Sequence, residues 1–375
     1  MKNRKLTYAM VGGAKGAFIG PIHRAAIRLD NLADLVAGNF SRHTAKNLSS
    51  GQKFEVAKDR IYPDWRKLIA AEAGKVDFLV ICTTNETHYP IARAALKAGM
   101  DVICEKPLSL TLKEATELEK LAEKNGCILG VPFTYVGYPM IKLARDLVRK
   151  GELGRIDKVV MEYVQGSFRK IDFSKPLDSH NAWKMNPEIA GPSCVVSDIG
   201  VHAFTMVEYV TGLKVKTLLA DLSSFAPGNK LDDDASILMR MEDGAKACLV
   251  TSKVATGEEN GVRIRVYGDK ASLFWNQEAP NYLSVKYPFK PEMIYKRNAP
   301  YIPEVSMRSK RSSRFPAGHH EGFVEALANF HDEFCAAVLT RKRTDHPGAH
   351  QGVRSMRFVE AALKSDKAGG KWTKL

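Results

Sequence analysis

The chain has 375 residues, 45% hydrophobic and 26% charged, a composition that excludes a disordered or fibrous protein and is long enough for two domains rather than one. Its formal net charge of +14 favours anionic partners. The basic residues are spread widely and spell no nucleic-acid motif, and no apolar run approaches a membrane span, so neither nucleic acid nor membrane is expected as a partner.

The basic start Met1 to Lys5 leads into an apolar stretch that is cut short by glycines, too short for a signal peptide, so a cytoplasmic protein is expected. Thr7–Val11 reads as a strand and Ile19–Leu29 as a helix, with the glycine loop Gly12–Gly20 between them. Such a loop lets the backbone approach a pyrophosphate at a helix N-terminus, although the spacing is longer than GxGxxG and a plain tight turn is the alternative. A second strand, Ala33–Gly38, ends at Asn39-Phe40-Ser41-Arg42. An acidic residue there would take the ribose hydroxyls of NAD; Ser41 and Arg42 suit a 2′-phosphate, or Arg42 is a solvated helix start, so the choice of NAD or NADP stays open.

Helices are predicted at Trp65–Ala73, Tyr89–Ala98 and Thr111–Lys124, between apolar strands at Asp77–Cys82, Asp101–Cys104 and Cys127–Val131. This alternation predicts a doubly wound parallel sheet, whose ligands bind beyond the carboxyl ends of the strands. Three loops then line one crevice: Gly12–Gly20, Thr83–His88 and Glu105-Lys106-Pro107. The proline after Lys106 stiffens the turn that presents the lysine.

From about Gly137 the pattern changes. A helix at Tyr138–Lys150 precedes strand-like stretches at Ile156–Phe168, Leu213–Leu222, Ala235–Met241, Lys246–Ala255, Val262–Tyr267 and Ala271–Trp275. Short turns join them, as in a mostly antiparallel sheet. Helices follow at Glu321–Leu339 and Gly352–Ser365, and a sheet covered on one side implies a homo-oligomer, dimer or tetramer, through its bare face. The basic segment Lys286–Arg314 reads as an excursion loop over a pocket or a subunit interface. Asp198 and His202 share a helix face if helix has begun by Asp198; otherwise Asp198 is an N-cap and His202 an interior residue. The six cysteines form no CxxC pair, and Cys82, Cys104 and Cys127 read as small buried hydrophobes, with no metal site expected.

Ordered along the chain, the Gly12–Gly20 loop with His23, Thr83–His88, Glu105-Lys106-Pro107, Trp183-Lys184 and Asp198–His202 resemble the glucose–fructose oxidoreductase/inositol dehydrogenase (Gfo/Idh/MocA) family. The long glycine loop, Leu231–Asp234 and Pro316–Gly322 resemble one subgroup of it. The resemblance implies a Rossmann domain, residues 1–134, and an α+β domain with an open, mostly antiparallel sheet, residues 135–375, whose helix 352–365 packs back on the first. It implies NAD(P)-linked oxidation or reduction of a sugar, cyclitol or related polyol, with Lys106, His202 and Asp198 as catalytic residues. Gly13, Gly16, Phe18, Ile19, Ser41, Arg42, Thr83, Asn85, His88, Glu105, Trp183 and Lys184 are implied on the cofactor. Tyr135, Asp198, Thr205 and His319 are implied on the substrate, although many members carry an aspartate where this chain has Thr205. His320 is a second candidate in the Pro316–Gly322 loop. Two alternatives remain: a redox-neutral glycoside hydrolase or epimerase that oxidises transiently, and a non-catalytic dinucleotide-binding sensor.

Overall fold

The computed structural model describes residues 4–177 and 182–375. The chain packs as two compact units: residues 1–133 with 327–354, and residues 134–326 with 355–375. The first unit therefore recruits a late segment that sequence order separates from it.

In the first unit, strands β1 (Leu6–Gly12), β2 (Ala33–Asn39), β3 (Phe78–Cys82), β4 (Asp101–Cys104) and β5 (Leu129–Gly130) form a parallel sheet in the order β2-β1-β3-β4-β5. Every residue of β3 and β4 is buried, as expected for strands covered on both faces. Helices α1 (Ile19–Leu29), α2 (Thr44–Lys53), α3 (Trp65–Glu72), α4 (His88–Lys97) and α5 (Leu112–Asn125) supply the crossovers. Thr111 and Glu114 close a capping box on α5, and Asp64 caps α3 by accepting from Arg66 and Lys67; each such cap stabilises by about 1 kcal/mol. The strand order reverses between β1 and β3, which is the switch point where doubly wound sheets open a ligand crevice.

The second unit is built on nine strands: β6 (Ile156–Val164), β7 (Val215–Ser223), β8 (Asp234–Met241), β9 (Lys246–Ser252), β10 (Gly261–Gly268), β11 (Ser272–Asn276), β12 (Tyr282–Lys286), β13 (Met293–Lys296) and β14 (Thr373–Lys374). Their order is β13-β12-β11-β10-β6-β9-β8-β7-β14, all antiparallel except β6 with β9. β8 alternates strictly, Ala235, Ile237, Met239 and Met241 inward and Ser236, Leu238 and Arg240 outward. Helices α6 (Pro139–Arg149) and α7 (Val201–Thr211) pack on the inner face. Each fully buried Val, Leu or Ile there stabilises by roughly 1.5–3 kcal/mol. Helices α8 (Phe323–Thr340) and α9 (Ala349–Lys367) complete the chain.

The expected strands and helices form with ends shifted by a few residues. The stretch expected to run as strand to Phe168 stops at Val164 and turns into a 3₁₀ segment at Ser167–Lys170. The basic 286–314 segment is not an excursion loop throughout. It supplies β13 at the sheet edge and short helices at Ile302–Val305 and Met307–Arg311, with Arg297 buried against Glu321 at 2.7 Å. All six cysteines are free.

Candidate active site

In the first unit the glycine loop leaves β1 directly beside β3. Gly12 (φ +83°) has no room for a side chain, because a Cβ would sit 2.4 Å from the Cys82 carbonyl oxygen. A Cβ on Gly20 would lie 2.3 Å from the Gly13 Cα, so the start of α1 tucks against the loop only because both are glycine. Arg24 donates to the Gly13 carbonyl at 2.9 Å, and the Lys15 amide donates to Ser50 Oγ at 3.1 Å. Helix α1 has neither a side-chain cap nor an acidic residue in its first turn, which leaves its positive end to an anion. A backbone cradle that any Cβ would fill, at the switch point and at a helix N-terminus, fits a dinucleotide pyrophosphate. Gly13, Gly16, Phe18 and Ile19 lie on this loop, with Phe18 65% exposed.

At the end of β2, Asn39 is turned inward onto the Tyr62 carbonyl (3.0 Å), whereas Ser41 is half-buried and Arg42 exposed. No acidic side chain stands in this Asn39–Arg42 stretch.

The Thr83 loop and the Lys106 turn are tied together by His88. Its ring is fully buried, with Nδ1 2.8 Å from the Pro107 carbonyl and Nε2 3.1 Å from the Thr83 carbonyl. Burial holds its pKa below the ordinary histidine value, despite the two carbonyls. A neutral ring donates to only one of them. His88 thus fixes two loops. Asn85 is buried and Thr83 half-buried on the same loop.

Glu105 does similar work from the other side. One carboxylate oxygen accepts from the Lys106 backbone amide at 3.0 Å, and the other lies 2.9 Å from His23 Nε2. His23 Nδ1 is in turn 2.9 Å from Nε2 of His331, on α8. Burial opposes charge on His23, but Cys82 and Glu105 outweigh it and lift its pKa to about 10. Burial and the charge on His23 hold His331 well below the ordinary value. In that state His23 would donate both to Glu105 and to His331. Lys106 itself is half-buried on a turn whose Lys106–Pro107 bond is cis.

In the second unit, Asp198 and His202 lie on one helical segment that begins as a π turn, Val196–Gly200, and continues as α7. Single π turns concentrate at functional sites. Asp198 is not an N-cap, since neither the π turn nor α7 has a side-chain cap. Its carboxylate instead pairs with Lys253 Nζ at 2.6 Å, and Lys184 Nζ stands 3.9 Å away, 5.9 Å from the Trp183 ring. The His202 ring is 7% exposed and meets Tyr135 edge-on at 5.1 Å between centroids. Tyr135 Oη lies 2.6 Å from Tyr163 Oη and accepts from Asn260 at 3.0 Å. Burial pushes the phenols of both tyrosines above their ordinary pKa. Thr205 is buried one turn after His202.

His319 and His320 are exposed, and the His319 carbonyl is held by Arg297. The Pro316–Gly322 segment is organised by Glu321, which accepts from the Arg314 and Phe315 amides and from Arg297. The Leu231–Asp234 stretch proves equally structural. Asp232 accepts from Ser193 Oγ (2.8 Å) and from the amides of Cys194, Val195 and Val196 (3.0 Å each). Asp233 accepts from the Phe225 and Ala226 amides. Sequence reasoning missed Lys253 and His331; neither belongs to a local motif, and Asp198 lies 55 residues before Lys253. Among the described residues no group of three His, Cys, Asp or Glu suits a metal ion, and no helix is long and apolar enough to cross a membrane.

Residues 6–133 match the oxidoreductase family with an NAD-binding Rossmann fold, and residues 141–274 match the GFO/IDH/MocA C-terminal domain. The chain is 34% identical to the uncharacterized oxidoreductase YfiI of Bacillus subtilis, over 99% of this chain and 97% of that one. It is 24% identical to an inositol 2-dehydrogenase of Rhizobium meliloti, over 92% and 93% of the two chains. The crystal structure of an inositol dehydrogenase homolog from Azotobacter vinelandii, complexed with NADH and myo-inositol, superposes with a TM-score of 0.91 at 34% identity, covering 99% of this chain and 98% of that one. The paired parallel and open mixed sheets, the glycine cradle at the switch point and these matches agree, and the chain belongs to the Gfo/Idh/MocA family of oxidoreductases, with an NAD-binding Rossmann domain at its N-terminus.

Proposed function

We propose that the protein oxidises a secondary hydroxyl of a cyclitol, sugar or related polyol, with His202 and Lys106 in proton transfer. The observation that carries this reading is the full-length likeness, at 34% identity, to the inositol dehydrogenase homolog complexed with NADH and myo-inositol. Residues 1–134 serve the dinucleotide, and residues 135–375 serve the substrate and self-association. The dinucleotide, when bound, accepts the hydride of the carbinol carbon. His202 takes the hydroxyl proton, since an imidazole starts near the operating pH. Lys106 donates a hydrogen bond from Nζ to the same oxygen and steadies the charge that develops there. Asp198 accepts from a neighbouring hydroxyl and so orients the ring. Thr83, Asn85 and Glu105 border the nicotinamide half, as do Trp183 and Lys184; Tyr135, Thr205 and His319 serve the substrate.

Among the described residues, Leu238 (47%) and Ile294 (55%) stand exposed on the sheet. The sheet joins a second copy of the chain in a dimer or tetramer.

The test is turnover of a polyol panel with Lys106→Ala and His202→Ala alongside the native protein. Each variant loses roughly 10²–10⁴ in turnover while NAD binding persists. Near-native turnover in either removes that residue from the assignment.

A further inference from the structure

Lys253 follows β9, the strand between β6 and β8, and its main chain is fixed on both sides: its amide donates to the Asp233 carbonyl at 2.8 Å, and its carbonyl accepts from Phe168 at 2.9 Å. Its side chain is 1% exposed and passes beside the Phe168 ring to end 2.6 Å from Asp198 Oδ2. A buried ammonium loses its charge unless a partner holds it. Burial presses the Lys253 pKa down, but Asp198, with Cys194 and Asp232, outweighs it and the net shift is upward.

The pair is asymmetric. Lys253 is sealed, whereas the Asp198 side chain is 23% exposed, so the carboxylate is the end presented outward. Burying an ion pair seldom stabilises more than apolar packing of the same volume, so stability alone does not account for a sealed lysine under an exposed carboxylate. Both ends also hang from consecutive residues. The Asp232 side chain gathers the Ser193–Val196 turn that leads into Asp198, and the Asp233 carbonyl holds the Lys253 amide. The two stretches of main chain that carry the ammonium and the carboxylate are thereby anchored to neighbouring residues.

We propose that Lys253 is a positioning residue of the polyol site, holding the Asp198 carboxylate ionised and aimed so that it accepts a substrate hydroxyl. This rests on the dehydrogenase reading above. Lys253 does not touch substrate; it acts through Asp198. Among the described residues, Lys184 on the Trp183–Met185 turn, Cys194 on the turn that leads into Asp198, and Tyr135 and Tyr163 from the aromatic cluster also act on Asp198. All of these remain when Lys253 is changed.

The experiment compares native protein with Lys253→Met, Lys253→Arg, Asp198→Asn and the double variant Asp198→Asn/Lys253→Met, using NAD and the best polyol of the panel. Lys253→Met is expected to lower kcat/KM by about 10²-fold and to move the acid limb of its pH profile up by about 1–3 units. Lys253→Arg, which keeps the charge, restores the limb. NAD binding, read by thermal shift, stays native in all four. The double variant removes both charges and is the safeguard against misfolding; it should match Asp198→Asn alone. Native kcat/KM in Lys253→Met, a loss with an unmoved acid limb, or an additive loss in the double variant overturns the proposal alone. Absence of NADH formation by the native protein with every polyol overturns the dehydrogenase reading and this proposal with it.

Discussion

One carboxylate, Glu105, serves both the buried His23 and the backbone of Lys106, so the Lys106 turn is linked to a buried histidine pair, His23 and His331. The sign of that coupling is fixed by the shifts. His331 is held well below its ordinary value, so the unfolded chain takes up a proton that the folded chain refuses, and stability is lost as pH falls below about 6.5. His23 is raised to about 10, so its contribution is full below the unfolded value and lost as pH rises from there through 10. The thermal midpoint should therefore fall on both sides of a maximum near neutrality. His331→Leu should reduce the acid slope and His23→Asn the alkaline one, measured by calorimetry across pH; slopes unchanged from native would refute the charge assignment. Lys106, Asp198 and His202 were legible because each sits in a short motif. His331 was not, because it reaches His23 only through the fold of α8 onto the first unit, 308 residues away in sequence.

Among the elements, the strands with clear alternation or continuous apolar runs were legible almost to their ends. Those that were not had physical reasons. β12 borders the proline-rich basic stretch and β13 lies within it, and both form by edge pairing, with β11 and with each other. α2 is polar, with Asn47, Ser50 and Gly51 as its buried residues, so it offers no apolar period. The π turn leaves no hydropathy signal, and it decided between the two readings of Asp198. The Leu231–Asp234 and Pro316–Gly322 stretches were visible as motifs, but their work is capping and loop closure. Asp232→Ala strands three backbone amides and a hydroxyl, and should lower the unfolding free energy by roughly 3 kcal/mol in denaturant titrations. A loss below about 0.5 kcal/mol would mean that the turn holds without it. At the end of β2, Arg42→Ala should weaken NADP about tenfold and NAD hardly at all, because only a 2′-phosphate needs the cation. Equal effects on both would remove Arg42 from cofactor choice.

At the scale of the molecule, the nine-stranded sheet packs helices on one face and exposes Leu238, Ile294 and, at a strand edge, Met293 elsewhere. Light scattering should find a dimer or tetramer, and Leu238→Asp with Ile294→Asp should shift it to smaller species; a native monomer would contradict that arrangement. The net charge of +14 spreads over both units and singles out no partner. Fold and family were legible from the order of motifs along the chain, since three of them, the Gly12–Gly20, Thr83–His88 and Glu105–Pro107 loops, lie where a strand of the parallel sheet ends. Self-association and substrate identity were not, because they depend on faces and pockets that no single segment encodes. The proposed reaction is net oxidation of a polyol with His202 as the base. It is tested most directly by following NADH formation when purified protein receives NAD and a polyol panel that includes myo-inositol, with His202→Ala run in parallel. The native protein should form NADH and ketone in equal amounts, and the variant should lose roughly 10²–10⁴ in turnover; NAD binding without NADH from any polyol, or native rates in His202→Ala, would overturn that assignment.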